Sequence, residues 1–278
     1  MQSRLPLSVA IITLNEEEHL PRCLASVREL ASEIVVVDSG STDRTAKIAK
    51  ESGAVFLFEP WAGHVAQKNK ALAACSQPFV LSLDADEEVS PELAEALRQL
   101  LADRLPGPDG FWINRRTFYL GQWIRHSWNP EWRVRLVRKE RARWTGRDPH
   151  DRLEVQGNTT RLAGDILHYS YADLQDHFSR TLRYARISAE TLRRNGKTCR
   201  WYHLVFSPWL AFLKKLVLRS AWRDGWRGWI ISVATFFGVF AKYAFRLEMQ
   251  LKSQPASVSP AADCAASPTR TDSKPAET

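Results

Sequence analysis

The sequence predicts an α/β fold with a mainly parallel central sheet, and three features of its first hundred residues carry that expectation. Short apolar runs rich in β-branched residues recur at 7–14 (LSVAIITL), 33–37 (EIVVV), 54–58 (AVFLF) and from residue 79 onward. Between them lie segments of helical periodicity at 17–30, 42–52 and 64–75. Each run ends in polar residues, as strands do where a sheet meets a binding crevice. Strands alternating with helices of this length imply right-handed crossovers between parallel neighbours.

The elements follow from local chemistry. The first helix is signalled by Leu20, Leu24, Val27 and Leu30 at helical spacing on one face. Gly53 closes the second helix before the third strand. The stretch 79–88, FVLSLDADEE, is a buried strand whose apolar run ends in alternating carboxylates. A helix over 90–103 has Ser90 as its cap, Pro91 in its first position and Glu92 in its first turn.

Composition bounds the function. With 278 residues, 44% hydrophobic and 25% charged, the chain can build one large domain or two small ones. Its net charge of +8 favours an anionic partner: nucleic acid, a phosphorylated metabolite or an acidic membrane. Cys23, Cys75, Cys199 and Cys264 show no metal-type spacing, which fits a reducing compartment. Residues 1–6 carry one arginine and run straight into a strand, so no leader is expected and the protein is placed in the cytoplasm.

Three polar stretches carry chemistry. Asp84 and Asp86, just past the fourth strand, can chelate a hard divalent cation that keeps water and substrate phosphates in its shell. The loop 38–45, DSGSTDRT, combines a flexible Gly40 with the hydroxyls of Ser39, Ser41 and Thr42 ahead of a helix. Asp38 can accept from a base imide or a ribose hydroxyl, or can serve as a turn residue capping that helix. Asn15, Asp38 and Asp84 all stand at carboxyl ends of expected parallel strands and should meet at one crevice. The first turn, TLNEEEHL at 13–20, lacks the glycines of a dinucleotide fingerprint, and no P-loop occurs.

TLNEE at 13–17, VVVDSGSTD at 35–43 and SLDADE at 82–87 resemble the motifs of family-two glycosyltransferases of the GT-A type, in the same order. Within that family the chain is most similar to lipopolysaccharide core β-glucosyltransferases. The resemblance implies a Rossmann-like GT-A domain that binds a UDP-sugar with Mg²⁺ or Mn²⁺. Thr13, Asn15 and Glu16 would line the nucleotide pocket with Ser39, and Asp38 would read the base. Lys68 takes a place where the family often has a basic residue near base and phosphates; otherwise it is a solvent-facing helical lysine. Asp84 would lie near ribose and metal, Asp86 would be the principal metal ligand, and His168, in ILHYSY, would approach the metal or diphosphate.

Past a turn-rich connector at 103–110, residues 111–153 become aromatic and basic, and RVRLVRKERARW at 133–144 alternates like a strand with one polar face. Such a surface could hold single-stranded nucleic acid, grip a phosphorylated sugar, or be an edge strand with solvated arginines. Nucleic acid is set aside because no recognised motif accompanies the charge. Inverting sugar transfer needs a base for the acceptor hydroxyl. Asp151, in DPHDRL at 148–153, is the first candidate, with Asp148 and His150 as rivals; related enzymes commonly have His-Glu here.

Residues 171–196 form a charge-rich helical segment, and 201–218 an apolar helix containing Pro208, Lys214 and Lys215. DGWRG at 224–228 breaks it. The thirteen apolar residues 229–241 fall short of the ~20 that cross a bilayer, so these helices are expected to lie in an anionic membrane interface or to pack on the domain. Trp222, Trp226, Trp229 and Tyr243 would sit at headgroup depth. The tail 253–278 is expected to be disordered. Together these give a catalytic domain over 1–170, a helical extension over 171–252 and a tail. The expected activity is transfer of a hexose, glucose from UDP-glucose, to the lipopolysaccharide inner core, a lipid-linked acceptor, at the cytoplasmic face of the inner membrane. The alternatives are a polyprenyl phosphate or other glycan as acceptor, or a non-catalytic membrane-peripheral binding protein.

Overall fold

The structure, a computed structural model, describes residues 4–102, 107–147 and 150–252, and the side chains of Arg147 and His150 are outside that description. Asp148 and the expected tail over 253–278 also lie outside the described residues.

The first four strands are parallel. β1 (Leu5–Thr13) runs between β2 (Ala31–Asp38) and β4 (Phe79–Asp84), with β3 (Val55–Phe58) outside β2. Both faces are covered, which is why the strands read as continuous apolar runs. On one face Val9, Ile11, Leu81 and Leu83 pack against Leu20, Leu24 and Val27 of α1 (Leu20–Val27), Ala49 of α2 (Thr45–Glu51), and Leu93 and Leu97 of α4 (Pro91–Ala102). On the other, Ala10, Val35, Val37 and Val80 meet Ala71 and Leu72 of α3 (His64–Ala74). Each large apolar side chain buried this way is worth roughly 1.5–3 kcal/mol.

The second half widens the sheet with antiparallel partners. After Asp84 the chain turns through Ala85 and Asp86 and jumps to the far edge as β5 (Glu87–Val89). β6 (Gly110–Tyr119), β7 (Gln122–Trp123), β8 (Trp132–Arg138) and β11 (Thr159–Tyr169) complete a nine-stranded sheet of order β3-β2-β1-β4-β8-β6-β11-β5, with β7 on β6. β8 is antiparallel to both β4 and β6, whereas β6 and β11 are parallel. The expected α/β class holds, and the sheet as a whole is mixed. The single strand expected over 133–144 is two strands in different sheets. A 3₁₀ turn at Lys139–Arg141 redirects the chain where three consecutive charged residues leave the interior, and β9 (Ala142–Arg147) then pairs with β10 (His150–Val155) as a separate hairpin.

Three helices follow: α5 (Leu174–Arg194), capped by the Asp173 side chain accepting from Asp176 N–H, α6 (Trp201–Leu213) and α7 (Trp226–Lys252). A π-helical turn, Lys214–Leu218, extends α6. The thirteen-residue apolar run is only the middle of α7, because Lys242 does not interrupt an otherwise continuous helix. Its 27 residues make it long and apolar enough to cross a membrane by length and composition. Yet α7 packs closely on the charged α5: a Cβ at Gly238 would lie 2.9 Å from the Thr181 methyl. Arg246 is buried and donates to Lys197 O at 3.0 Å.

An aromatic cluster ties the sheet to these helices. Tyr119, Trp128 and Tyr171 surround His177, and the Tyr119 hydroxyl lies 2.6 Å from His177 Nδ1. Burial pushes His177 down to about 4. An unfolded histidine takes its proton near 6.5, so below that pH the unfolded chain binds the extra proton and stability falls with the pH. Denaturant unfolding at pH 7 and pH 4.5 should show wild type losing on the order of 2–3 kcal/mol more than His177→Phe over that interval. Equal losses in the two proteins would remove this assignment.

Candidate functional site

Register fixes the rim. Thr13 pairs with Asp38 and Ile12 with Asp84 across β1, so the carboxyl ends of β1, β2 and β4 finish side by side. The loops above them are laced together. Asn15, in the left-handed region at φ 55°, accepts from Thr42 N–H at 2.9 Å, and its own N–H donates to Ser41 Oγ at 2.8 Å. Glu16 N–H donates to Thr45 Oγ1 at 2.8 Å. Ser39 N–H donates to Thr13 O, and Gln67 Nε2 donates to Ser39 Oγ at 2.9 Å.

Asp38 is buried and organises this loop. Oδ1 accepts from the hydroxyls of Thr13 and Ser41, and Oδ2 from the N–H groups of Gly40 and Ser41, both at 2.9 Å. Those four bonds occupy about the full acceptor capacity of a carboxylate. Asp38 thus closes the turn at 38–41, and it caps no helix, because α2 begins at Thr45 without a side-chain cap.

Beneath the rim lies a chain of buried ion pairs. Lys68 is 6% exposed, so it is no surface lysine. Its Nζ bridges Asp84 Oδ1 at 3.0 Å and Asp151 Oδ2 at 2.9 Å, and sits 4.6 Å from the centroid of the Trp144 ring. Asn69 holds Trp144 from both backbone groups, at 2.8 and 2.9 Å, and so docks the β9–β10 hairpin that carries Asp151. Arg135 reaches Asp84 Oδ2 at 3.0 Å and Glu87 Oε1 at 2.8 Å. Burial alone would raise the Asp84 carboxyl, but Lys68 and Arg135 outweigh it and hold Asp84 well below the usual carboxylate range. Glu87 is fully buried, and desolvation pushes it up in spite of Arg135. Arg135, Glu87 and Gln67 went unmarked in the sequence. Arg135 was one basic residue among many, and its partners are brought to it only by the pairing of β8 with β4.

A second cluster, of a half-buried Asp86 and a buried His168, lies past the end of β4. The turn after β4 presents Asp86, and the β11–β5 register of His168 with Glu87 brings His168 alongside, with Nε2 3.2 Å from Asp86 Oδ2. Burial and then the Asp86 carboxylate push Glu16 up, which sets Glu16 at the same rim. Among the described residues no group of three or more His, Cys, Asp or Glu side chains comes together as a metal cage. Asp84 has both oxygens in ion pairs, which leaves Asp86 and His168 as the donors open to a cation. A carboxylate and an imidazole that leave the remaining positions to phosphate and water suit Mn²⁺ or Mg²⁺.

Comparison with known proteins follows this geometry. The family model described as Glycosyl transferase family 2 matches residues 8–156. The lipopolysaccharide core biosynthesis glycosyltransferase LpsC of Rhizobium meliloti (strain 1021) is 35% identical over 245 residues, 83% of this chain and 87% of that protein. An uncharacterized glycosyltransferase of Rickettsia typhi is 30% identical over 262 residues, 89% of each chain. Among solved structures, S. aureus TarS 1-349 in complex with UDP-GlcNAc matches with a TM-score of 0.47 at 14% identity, covering 84% of this chain and 81% of that one.

Proposed function

The chain belongs to glycosyl transferase family 2, and from that premise we propose that it is an inverting, metal-dependent glycosyltransferase that moves a hexose, glucose from UDP-glucose, onto the lipopolysaccharide inner core. One observation carries the reading: Lys68 joins Asp84, of the donor motif, to Asp151 on the hairpin, 83 residues after Lys68 itself, beside the Asp86–His168 pair. Donor and acceptor chemistry thus share one rim. The LpsC likeness supports the acceptor. We assign residues 1–170 to the catalytic unit and 171–252 to its attachment.

Thr13, Asn15, Glu16 and Ser39 shape the nucleotide pocket, and for Asp38 to read the base it must give up one loop hydrogen bond. Asp84 is held ionised near the ribose, and Lys68 lies where it can follow the phosphates. Asp86 and His168 would hold the cation, which neutralises charge building on the departing diphosphate. Asp151 takes the acceptor hydroxyl proton as that oxygen bonds to the anomeric carbon and the bond to the diphosphate breaks on the opposite face.

The membrane reading rests on the outer surface of α6, its π turn, the 3₁₀ turn at Ala221–Asp224 and the start of α7, where Phe206, Trp209, Leu218, Trp222, Trp226 and Trp229 are exposed. The charged α5 lies along α7, which disfavours a full crossing and favours lying in the cytoplasmic leaflet interface.

The deciding experiment is a donor screen with Mn²⁺ or Mg²⁺ that follows nucleotide release and transfer to defined core oligosaccharides. Asp86→Ala should lose metal-dependent UDP binding by at least tenfold in calorimetry and turnover by 10²-fold or more, with an unchanged melting curve. Metal-dependent UDP binding and turnover retained in that variant would remove Asp86 as the metal ligand, whereas UDP binding by wild type without transfer from any donor would leave only a binding protein.

A further inference from the structure

Resting on the glycosyltransferase reading, we propose that a cavity behind His168 is a phosphate subsite, built from Lys215 and Arg219, that recognises a phosphomonoester on the acceptor sugar. The cavity measures about 340 Å³ and is lined by His168, Trp128, Tyr171, Arg115, Lys215 and Arg219 among others. That volume admits one sugar residue with its anionic group. His168 belongs to both this cavity and the cation pair, so whatever fills the cavity lies beside the donor end of the site.

The charges on its walls are unequal. Glu131 is already matched: Arg115 reaches it at 3.0 Å and Arg133 at 2.7 Å, and Arg115 is also drawn to the buried Glu87 at 3.5 Å. Among the described residues Lys215 donates only to the Ser127 carbonyl, at 3.1 Å. Among the described residues no carboxylate pairs with Lys215 or Arg219 at ion-pair distance. Burial, then Arg219 and Lys214, push the Lys215 amine down against the pull of Glu131, whose charge is already shared between Arg115 and Arg133. A half-buried ammonium beside like charges is costly, and a bound anion relieves it. Two unneutralised cations match a dianion, hence a phosphomonoester.

The floor is preorganised. The fully buried Asp224 carboxylate accepts from the N–H groups of Arg125, His126 and Ser127 at 3.0, 3.2 and 2.7 Å and from Ser127 Oγ at 2.6 Å. This fixes the loop whose Ser127 carbonyl receives Lys215. Both cations stand on or just after the π turn, a rare geometry that recurs at functional sites. The same turn exposes Val217 and Leu218, 57% and 76%, next to the cavity. An anion arriving on a glycolipid at the lipid–water boundary would meet these cations first.

Phosphate could come from the acceptor sugar or from a lipid headgroup, and the full-length Lys215→Gln/Arg219→Gln double variant separates them. Titrating inorganic phosphate against protein labelled at its tryptophan indole nitrogens should shift the Trp128 signal saturably in wild type and not in the variant. KM for a phosphorylated core oligosaccharide should rise at least tenfold in the variant, with kcat and UDP–Mn²⁺ binding within twofold. Phosphatase treatment of the acceptor should raise the wild-type KM equally and leave the variant unchanged. Sedimentation with phosphatidylglycerol vesicles should differ less than twofold between the proteins. The proposal is overturned by an unmoved Trp128 with unchanged KM, or by a variant that leaves the vesicles while its KM for soluble acceptor stays the same. Phosphate binding without transfer from any donor would sink the transferase reading and leave the subsite standing.

Discussion

Asn in place of Asp151 is expected to lower kcat by 10²- to 10⁴-fold, the usual contribution of a positioned general base, while UDP binding and folding stay near wild type. The amide is isosteric, and its oxygen can still accept the Lys68 hydrogen bond that Asp151 Oδ2 receives at 2.9 Å. Asp151 accepts that bond through Oδ2, and among the described residues Oδ1 has no hydrogen bond, which leaves it to take a proton from an acceptor hydroxyl. Asn has the shape and lacks the basicity. Asp151→Glu reproduces the side chain that the related enzymes commonly carry here and should recover part of the lost turnover, since its longer reach is an error of position and not of chemistry. A structural role would give the opposite order, with the isostere tolerated and the longer acid harmful. Turnover of Asp151→Asn within tenfold of wild type would move the base to Asp148 or His150, and Asp148→Asn and His150→Gln measured alongside would say which.

Much of the donor rim was legible because parallel strands obey local rules. The expected strands at 7–14, 33–37 and 54–58 differ from β1, β2 and β3 by two residues or fewer at each end. Once they are parallel, Asp38 and Asp84 must finish at the same edge. What stayed hidden depends on long-range pairing. Arg133 and Arg135 alternate on one face of a strand and read alike, yet Arg133 is exposed while Arg135 is 4% exposed. The difference comes from β8 sitting between β4 and β6, with Asp84 and Glu87 at the inner end of the strand. Lys68 was ambiguous for the same reason. A hairpin whose Trp144 lies 75 residues beyond Asn69 covers it, and nothing within the helix announces that lid. The C-terminal helix was read short because Lys242 looked like a boundary, although a lone charge on an amphipathic helix ends nothing.

Arg135→Met should be the most destabilising single change in the catalytic half, and its pH dependence should tell why. The guanidinium spans Asp84 and Glu87 and donates to Ser82 O at 3.4 Å. Without it Asp84 keeps Lys68, but among the described residues the one cation left to Glu87 is the more distant Arg115, at 3.5 Å, beside the Asp84 N–H that it accepts at 2.9 Å. Removing one partner of a buried pair costs about 3–5 kcal/mol, a large share of the 5–15 kcal/mol that typically holds a domain. For a chain of this size that is a fall of roughly 10 °C in Tm. Wild type and variant should differ in their response to acid over pH 8 to 5, because the Asp84 contribution is flat there in both and Glu87, raised by burial in wild type, is raised further without Arg135. In wild type Asp84 is held below its unfolded range, so its contribution is intact above about pH 4 and is lost as the pH falls through the folded value. In the variant Glu87, already raised by burial, rises further, so the folded form binds the extra proton and gains stability as the pH falls from 8 to 5. The stability gap measured by urea unfolding should therefore narrow toward pH 5. The double variant Arg135→Met/Glu87→Gln, with no buried charge stranded at 87, should recover at least half the loss at pH 8. A gap independent of pH, with no recovery in the double variant, would mean that the cost is lost packing and not a stranded carboxylate.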